Sequence, residues 1–195
     1  MKHDLYIRGF AFGLRPLTVE DAEFIVELRS DRQRSRFLHP IPPSVEAQRA
    51  YVLEYFERAG DYYFVVVRQG KNSREGLVAI YNADLRKRTA DWGRWILRPG
   101  SWASVESALR IYEAAFDYLQ LDEVRSQTIC ENRHVVGFHD RCGVPRQGVL
   151  RGYYKMDQMT YDVIEHVLTR RDWPRVRQSL EPLARKVAER LQHRP

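Results

Sequence analysis

The sequence predicts a mixed α/β (α+β) fold in which helices flank one β-sheet and a further helix forms the C-terminal tail. Short apolar runs typical of strands alternate along the chain with stretches in which apolar residues recur at helical spacing. The segment from Asp91 to Gly143 passes from strand to tight loop, helix, strand and second helix without a break. These two observations, with an amphipathic stripe after Pro174, indicate the class.

Length and composition are those of one globular domain with its own core, at 195 residues, 44% hydrophobic and 30% charged. No apolar run approaches the ~20 residues that a membrane helix needs, and the N-terminus lacks the layout of a signal peptide. We therefore expect a cytoplasmic protein without a membrane partner. We expect a main domain over residues 1–173, and a helical tail over 174–195 that packs on it or extends it.

The formal net charge is +6, with Lys and Arg spread along the whole chain. A basic protein can meet nucleic acid, an acidic carrier or a polyphosphate ligand. Because no segment resembles a groove-reading helix or an aromatic RNA-binding sheet, we expect a solvated surface and one anionic pocket, and no nucleic-acid partner. Cys130 and Cys142 are too far apart for a paired metal motif, so no metal is expected.

The N-terminal third predicts one strand and two helices. Residues 5–17 form the strand, and residues 18–21 are a capping-box variant that starts a helix ending near Ser30. Residues 31–43 hold three arginines and three prolines, which predicts an irregular loop of the kind that often shapes a pocket. A second helix then runs over residues 44–59, capped by its first residue, a serine.

The middle of the chain predicts three strands and a loop. Residues 62–67 and 77–81 are continuous apolar runs, joined by a turn at 69–73, that predict a hairpin covered on both faces. The next strand is expected at 90–97, and Pro99 and Gly100 break it. A strand that feeds a helix N-terminus through a small-residue loop offers backbone N–H groups to an anion. This segment could therefore hold a phosphate-bearing cofactor.

The helix that follows is amphipathic. Ser104 is its predicted cap, and apolar residues recur at helical spacing from Val105 to Leu119. Its other face is polar, with Glu106, Arg110, Glu113 and Asp117. A strand at 124–130, a short helix ending at Gly143, and two strands at 150–154 and 159–168 complete the domain. The tail stripe consists of Leu180, Leu183, Ala184, Val187 and Leu191.

Several local strings, in order, resemble the GNAT superfamily of acyl-CoA-dependent N-acyltransferases over about residues 12–173. The closest branch is that of the ribosomal-protein N-terminal acetyltransferases. The strings are Leu14-Arg15-Pro16-Leu17-Thr18-Val19-Glu20-Asp21-Ala22, Ala90-Asp91-Trp92-Gly93-Arg94-Trp95-Ile96, Glu131-Asn132-Arg133-His134-Val135 with Phe138-His139 and Cys142-Gly143, Gln147-Gly148-Val149-Leu150-Arg151, and Asp172-Trp173. The resemblance implies a mixed, mostly antiparallel sheet of about six or seven strands flanked by four helices, plus the tail helix.

The resemblance also implies site residues. Asp91 stands where an acidic residue often takes the amine proton, although it can equally be a strand-end carboxylate paired with Arg88 or Arg94. His139 fills the slot of the acid that protonates the leaving thiolate, a role open to an imidazole with a pKa near ~6.5. Asn132 is the third implied catalytic residue, through a contact with the pantetheine. The implied acetyl-CoA contacts are Trp95, Ile96, Leu97, Gly100, Ser101, Trp102, Ala103, Ser104 and Asn132.

The implied reaction is transfer of an acetyl group from acetyl-CoA to a primary amine. The acceptor is expected to be a small molecule, such as an amino sugar on a nucleotide carrier, or a protein N-terminus. The loop at 98–104 is shorter than the family's pyrophosphate loop, and Trp102 falls near a position for a small residue. A non-catalytic module that binds CoA or protein is therefore an alternative, and a homodimer is left open.

Overall fold

The computed structural model describes residues 2–71 and 73–192. These residues form a single seven-stranded sheet, with helices on both faces. The strands are β1 (Phe12–Pro16), β2 (Tyr62–Arg68), β3 (Arg74–Asp84), β4 (Thr89–Leu97), β5 (Glu123–Ile129), β6 (Arg146–Met156) and β7 (Met159–Thr169). The helices are α1 (Ala22–Arg29), α2 (Arg32–Ser35), α3 (Val45–Glu57), α4 (Ser104–Glu113), α5 (Arg133–Arg141) and α6 (Trp173–Gln192). The predicted fold class is confirmed.

The strand order is β1-β2-β3-β4-β5-β7-β6, and all neighbours are antiparallel except β4 and β5. This parallel pairing runs only from Thr89↔Glu123 to Asp91↔Arg125. Further along β4, the register with β3 shifts and Arg94 takes a left-handed φ of 49°. An extra residue of this kind bends and twists a strand. Beyond Asp91, β4 therefore has no strand partner on its β5 side.

The sheet separates two hydrophobic cores. On one face, Phe24 and Ile25 of α1 and Val52 of α3 pack against Val65 and Leu77. On the other face, α4 and α6 cover the apolar residues of β2, β3 and β4 that point the opposite way. Because successive side chains of a strand point to opposite faces, each continuous apolar run contributes to both cores, as predicted. No helix among the described residues is both long and apolar enough to cross a membrane.

Several predicted boundaries differ from the structure. The first strand begins at Phe12, because the chain before it makes only an isolated bridge, Ile7↔Leu14. The expected irregular loop at 31–43 contains α2, whose N-terminus is capped by the Asp31 carboxylate. Ser104 is the first residue of α4 and not its cap. Residue 72 of the predicted turn and residues 193–195 of the predicted tail lie outside the described residues.

Glu106 and Arg110 belong to the predicted polar face of α4, and they are 0% and 5% exposed. The segment that precedes β1 crosses α4 at this point. The N–H groups of Phe10, Ala11 and Phe12 all donate to the Glu106 carboxylate, the last two at 3.0 and 2.9 Å. Arg110 Nη2 lies 3.2 Å from Glu106 Oε1. The polar face of α4 is thus buried, because the N–H groups of residues 10–12 need the Glu106 carboxylate as their hydrogen-bond acceptor.

The tail helix α6 packs against α4 and buries Val176, Leu180 and Ala184 completely. Leu183 was predicted in the same stripe, but it is 51% exposed. The buried residues Val176, Leu180, Ala184 and Ala188 are spaced by four and form one row along α6. Of the predicted stripe, Leu183 lies furthest around the helix from this row. The division into a main domain and a tail stays a prediction.

Candidate active site

A cavity of about 290 Å³ opens where β4 and β5 separate. The N-terminus of α4 follows β4, and the N-terminus of α5 follows β5, so both helices begin at this edge of the sheet. The lining residues are Phe37, Leu38, His39, Tyr81, Trp92, Gly93, Arg94, Trp95, Ser126, Gln127, Thr128, Ile129, Asn132, Val135, His139 and Tyr154. None of these described lining residues is an aspartate or a glutamate, so the wall that they form carries no carboxylate.

The β4 wall presents aromatic rings and one neutralised cation. Trp95 donates from Nε1 to Ser107 Oγ at 3.0 Å, which ties the indole to α4. The guanidinium of Arg94 donates to both carboxylate oxygens of Asp61, at 2.8 and 2.9 Å. It also lies 4.8 Å from the centroid of the Tyr81 ring. The positive charge at the wall is therefore balanced inside the protein.

Tyr81 is a hydroxyl at the cavity that keeps its proton. Burial, and then the charge of Asp91, raise the pKa of Tyr81 to about 12. The phenol is therefore protonated at neutral pH and can donate a hydrogen bond or a proton. Sequence reasoning missed this residue, as well as Tyr154 on β6. The available signal was the antiparallel pairing of β3 and β4, which puts Tyr81 directly opposite Asp91, a residue that the resemblance had already indicated.

Asn132 is the N-cap of α5, and its side chain accepts a long hydrogen bond of 3.5 Å from the Val135 N–H. Both residues line the cavity. Capping explains why an amide stands here, because Asn is a preferred N-cap residue. The start of α5 thus presents N–H groups and a positive dipole end to the space between the strands.

His139 lies on α5 and is only 1% exposed. Its ring contacts those of Trp92, Phe138 and His166, at centroid distances of 5.4, 5.9 and 5.0 Å. Burial, followed by the nearby His166, lowers the pKa of His139 to about 3. The sequence-based role assumed an imidazolium near neutrality. In this setting the ring is a neutral imidazole at neutral pH, with a hydrogen on one nitrogen and a lone pair on the other.

Asp91 does not line the cavity. Its Oδ2 accepts a hydrogen bond of 2.8 Å from the Asn82 side chain, and its Oδ1 is 3.7 Å from Arg125 Nε. The expected pairing with Arg88 or Arg94 is not found in the described residues, because those arginines pair with Asp122 and Asp61. Asp91 lies where β4 still pairs with β5, just before the strands separate.

The predicted cofactor residues fall into two groups. Trp95, Ile96 and Leu97 lie on β4 beyond the last β5 pair, so their β5 side has no strand partner. The Ile96 side chain points to the opposite face, where it is 6% exposed, so only its main chain can face the opening. The second group, Gly100, Ser101, Trp102, Ala103 and Ser104, forms the turn and the first residue of α4.

Within that turn, Gly100 has a φ of +71°, and a Cβ added there would meet no atom within 4 Å. Ala103 is fully buried, and its N–H donates to Ser101 Oγ at 3.3 Å. The Trp102 side chain packs against the core on the α4 face. The bulky side chain at the shortened loop therefore points into the protein, and the open side lies at Gly100.

These features agree with comparisons to known proteins. Residues 12–144, more than half of the chain, match the family model described as the acetyltransferase (GNAT) domain. The chain belongs to the GNAT acetyltransferase family. A comparison with curated protein sequences found no match.

Solved structures share this fold at low identity. A GCN5-related N-acetyltransferase from Brucella melitensis is 18% identical, with a TM-score of 0.82 over 94% of this chain and 87% of that one. Apo FdhC, described as a nucleotide-linked sugar GNAT, is 22% identical, with a TM-score of 0.77 over 93% and 99%. Spermidine N-acetyltransferase from Vibrio cholerae, in complex with CoA and spermine, is 20% identical, with a TM-score of 0.75 over 85% and 99%.

Proposed function

We propose that this protein transfers the acetyl group of acetyl-CoA to the primary amine of a small, neutral or anionic acceptor, such as an amino sugar on a nucleotide carrier. The observation that carries this choice is a cavity wall without a carboxylate. A polyamine such as spermine needs acidic partners, whereas a sugar needs hydroxyl, amide and aromatic groups. The lining supplies the second set through Gln127, Thr128 and Tyr154. The nucleotide-sugar relative is thus the better guide than the spermidine enzyme.

The residues of this chain fit acetyl-CoA. The unpaired side of β4 at Trp95 to Leu97 offers main-chain donors and acceptors to an extended amide-bearing arm. The turn at Gly100 and the start of α4 offer N–H groups to phosphates, and the open side of Gly100 lets a ligand approach the backbone. When bound, acetyl-CoA supplies a thioester whose carbonyl carbon the amine attacks. The chain's own groups then hold the reactants and manage the protons.

Two protons must move. As the C–N bond forms and the C–S bond breaks, nitrogen loses one proton and sulfur gains one. His139 lines the cavity and carries an imidazole, the side chain used most often for proton transfer, so we assign it, and not Asp91, as the acceptor of the amine proton. We assign Tyr81, which lines the cavity and retains its proton, as the donor to the sulfur, and the charge of Asp91 helps to keep it protonated. We place Asn132 beside the bound arm of the cofactor, as the N-cap of α5.

A protein N-terminal amine is the second candidate acceptor, because the sequence strings resemble the ribosomal-protein branch. The branch, a homodimer and a cytoplasmic location all stay predictions. A panel of acceptors distinguishes the candidates: a nucleotide-linked amino sugar, spermidine and a short peptide with a free N-terminus. We expect acetyl-CoA-dependent thiol release with the sugar. Release with spermidine alone contradicts the argument from the cavity wall.

Binding of acetyl-CoA is tested separately, by thermal unfolding. Ligand at 100 times its dissociation constant stabilises a protein by about 2.7 kcal/mol, which raises the melting temperature. Gly100→Leu should abolish this shift, because the side chain fills the open side of the turn. Gly70→Leu is the matched control, since Gly70 also has a positive φ (+75°) and no atom within 4 Å of an added Cβ. A shift that persists in Gly100→Leu contradicts the pyrophosphate site, and binding without turnover of any amine favours a non-catalytic module.

A further inference from the structure

The β4 wall of the cavity and its rim differ in charge. At the wall, Arg94 pairs with both carboxylate oxygens of Asp61. The rim on the opposite side is formed by residues 37–39, all of which line the cavity. The segment that leads into this rim, residues 29–36, holds four arginines and only one carboxylate, that of Asp31. Positive charge is therefore in excess at the rim, whereas it is balanced at the wall.

Packing on both sides holds the rim in place. Phe37 packs against a small apolar cluster of β5, β6 and β7 (Ile129, Met156 and Val163), and Leu38 packs against the core beneath α1 and α3. The ring of His39 lies 4.8 Å from that of Tyr154, which lines the cavity from β6. A charged group that contacts the rim therefore has a defined position relative to the cavity.

Arg29, the last residue of α1, contacts the rim from one side. Its Nη2 donates to the carbonyl oxygen of His39, and its Nε is buried without a hydrogen-bond partner in the described part of the chain. None of the ion pairs between described residues includes it. Burial raises the pKa of Tyr154, and the charge of Arg29 opposes that rise. The charge is thus felt at a residue of the cavity, and the half-buried guanidinium has no counter-ion there.

Arg36, the C-cap of α2, contacts the rim from the other side. Its guanidinium carbon lies 4.7 Å from the centroid of the Phe37 ring. The carboxylate of the segment pairs with Arg34, at 3.2 Å, and Arg36 belongs to no ion pair within the described residues. An arginine that lies on an aromatic ring keeps the N–H groups at its edge available, and their fork matches the oxygens of a phosphate.

We propose that Arg29 and Arg36 bind a phosphate or diphosphate group of the acceptor at the rim, while the acceptor amine enters the cavity. This inference rests on the proposed function and narrows it, because the acceptor is then anionic. A neutral acceptor leaves both guanidinium groups unpaired, and a polyamine is repelled by them. The site is separate from that of the CoA pyrophosphate, because α1 packs on the sheet face opposite to α4, at whose start we place the pyrophosphate.

Two acceptors that differ only in a phosphate, glucosamine 1-phosphate and glucosamine, test the proposal by kinetics. We expect kcat/KM to be about 10-fold or more higher with the phosphate, the factor that one hydrogen bond between charged groups supplies. Arg36→Gln and Arg29→Gln should each remove most of this preference by raising KM for the phosphate alone. Glutamine at 29 can still donate to the His39 carbonyl, so the rim stays in place. The control is Arg190→Gln, which removes the same charge from an exposed position of α6 and should keep the preference.

Calorimetric titration with uridine diphosphate needs no turnover. It is done with CoA at saturation, so that the cofactor site is occupied. We expect binding to the wild type and to Arg190→Gln, and binding about 10-fold weaker or more to Arg36→Gln and Arg29→Gln, with CoA affinity unchanged in all four.

The outcomes separate this proposal from the proposed function. The expected pattern of binding without turnover of any amine supports the anion site and counts against the proposed function alone. Turnover of glucosamine as efficient as that of its phosphate overturns the anion site and leaves acetyl transfer intact. Uridine diphosphate that binds all four proteins equally, or only when CoA is absent, also overturns it. So does a loss of CoA affinity in Arg36→Gln, because the bound phosphate is then that of the cofactor.

Discussion

Two polar clusters are buried on the same face of the sheet, and they are built in opposite ways. Around Glu106, both carboxylate oxygens accept hydrogen bonds, and the charge is balanced by Arg110. Around His139, the ring is kept neutral by burial, and its Nδ1 has no partner among the described residues. The first cluster holds the N-terminal segment in place. The second leaves hydrogen-bonding capacity unused in the resting protein, which is expected of groups that act during a reaction.

The largest expected effect falls on the structural cluster. Glu106→Ala should lower the free energy of unfolding by about 3–5 kcal/mol, because it leaves the N–H groups of residues 10–12 without an acceptor and Arg110 with Glu113 alone as its partner. Urea unfolding measures this. Glu54→Ala is the control, since Glu54 is 72% exposed and pairs with Arg58 on the surface of α3. It should change stability by less than about 1 kcal/mol. Equal losses in the two variants would contradict the contrast.

The cluster around His139 should show the reverse pattern. His139→Phe keeps the ring packing and removes a buried nitrogen without a partner, so stability should stay within about 1 kcal/mol of wild type. The same variant should lower kcat by about 100-fold, or about 2.7 kcal/mol, with acetyl-CoA affinity retained. Urea unfolding and steady-state kinetics on one preparation test both. A variant that unfolds but retains its specific kcat would show that the ring is only structural.

Acid should weaken the fold through the second cluster. The folded pKa of His139, about 3, lies below its unfolded value near 6.5, so protons bind the unfolded chain more tightly. Stability is full above about pH 6.5 and is lost as the pH falls towards 3. Between pH 7.5 and 5.5 the loss from this residue is about 1.4 kcal/mol. His139→Phe should remove that share. His3, whose pKa burial lowers to about 4, should still contribute its own.

The smallest effect concerns the outer layer of the Glu106 cluster. The guanidinium of Arg185 lies 4.1 Å from the centroid of the Phe10 ring, on the far side of the N-terminal segment. Arg185→Ala should cost about 0.5–1 kcal/mol, as a partly exposed cation–π contact does. Lys186→Ala, an exposed neighbour on α6, is the control and should be neutral. A neutral Arg185→Ala would limit the cluster to Glu106 and Arg110.

The comparison also shows what sequence can and cannot reveal. Local periodicity was enough to predict the fold class and the strand–loop–helix at 90–119, because those patterns depend on near neighbours. The burial of Glu106 depends on a segment about a hundred residues away, which no local pattern encodes. Helical spacing therefore identified the polar face of α4 but gave no sign that this face is buried.

The site residues divide in the same way. The sequence strings drew attention to Asn132 and His139, and the structure places both at the cavity. His166 was missed, although one signal existed. It is a histidine at an inward position of β7, between the buried residues Ile164 and Leu168. The shift in the pKa of His139 could not be inferred either, since it arises from burial and from His166, which lies on a different element.

The short parallel contact between β4 and β5 should also determine where the sheet opens first in local unfolding. Three residue pairs join these strands, whereas each of the other strand contacts in the described sheet has at least five. Regions with few backbone hydrogen bonds open at lower free energy than the rest of a fold, and their amides exchange first with solvent. The candidate active site thus lies at the strand contact with the fewest residue pairs in the described sheet, between two antiparallel halves, β1–β4 and β5–β7. We expect a ligand that contacts both β4 and β5 to stabilise the two halves of the sheet against separation.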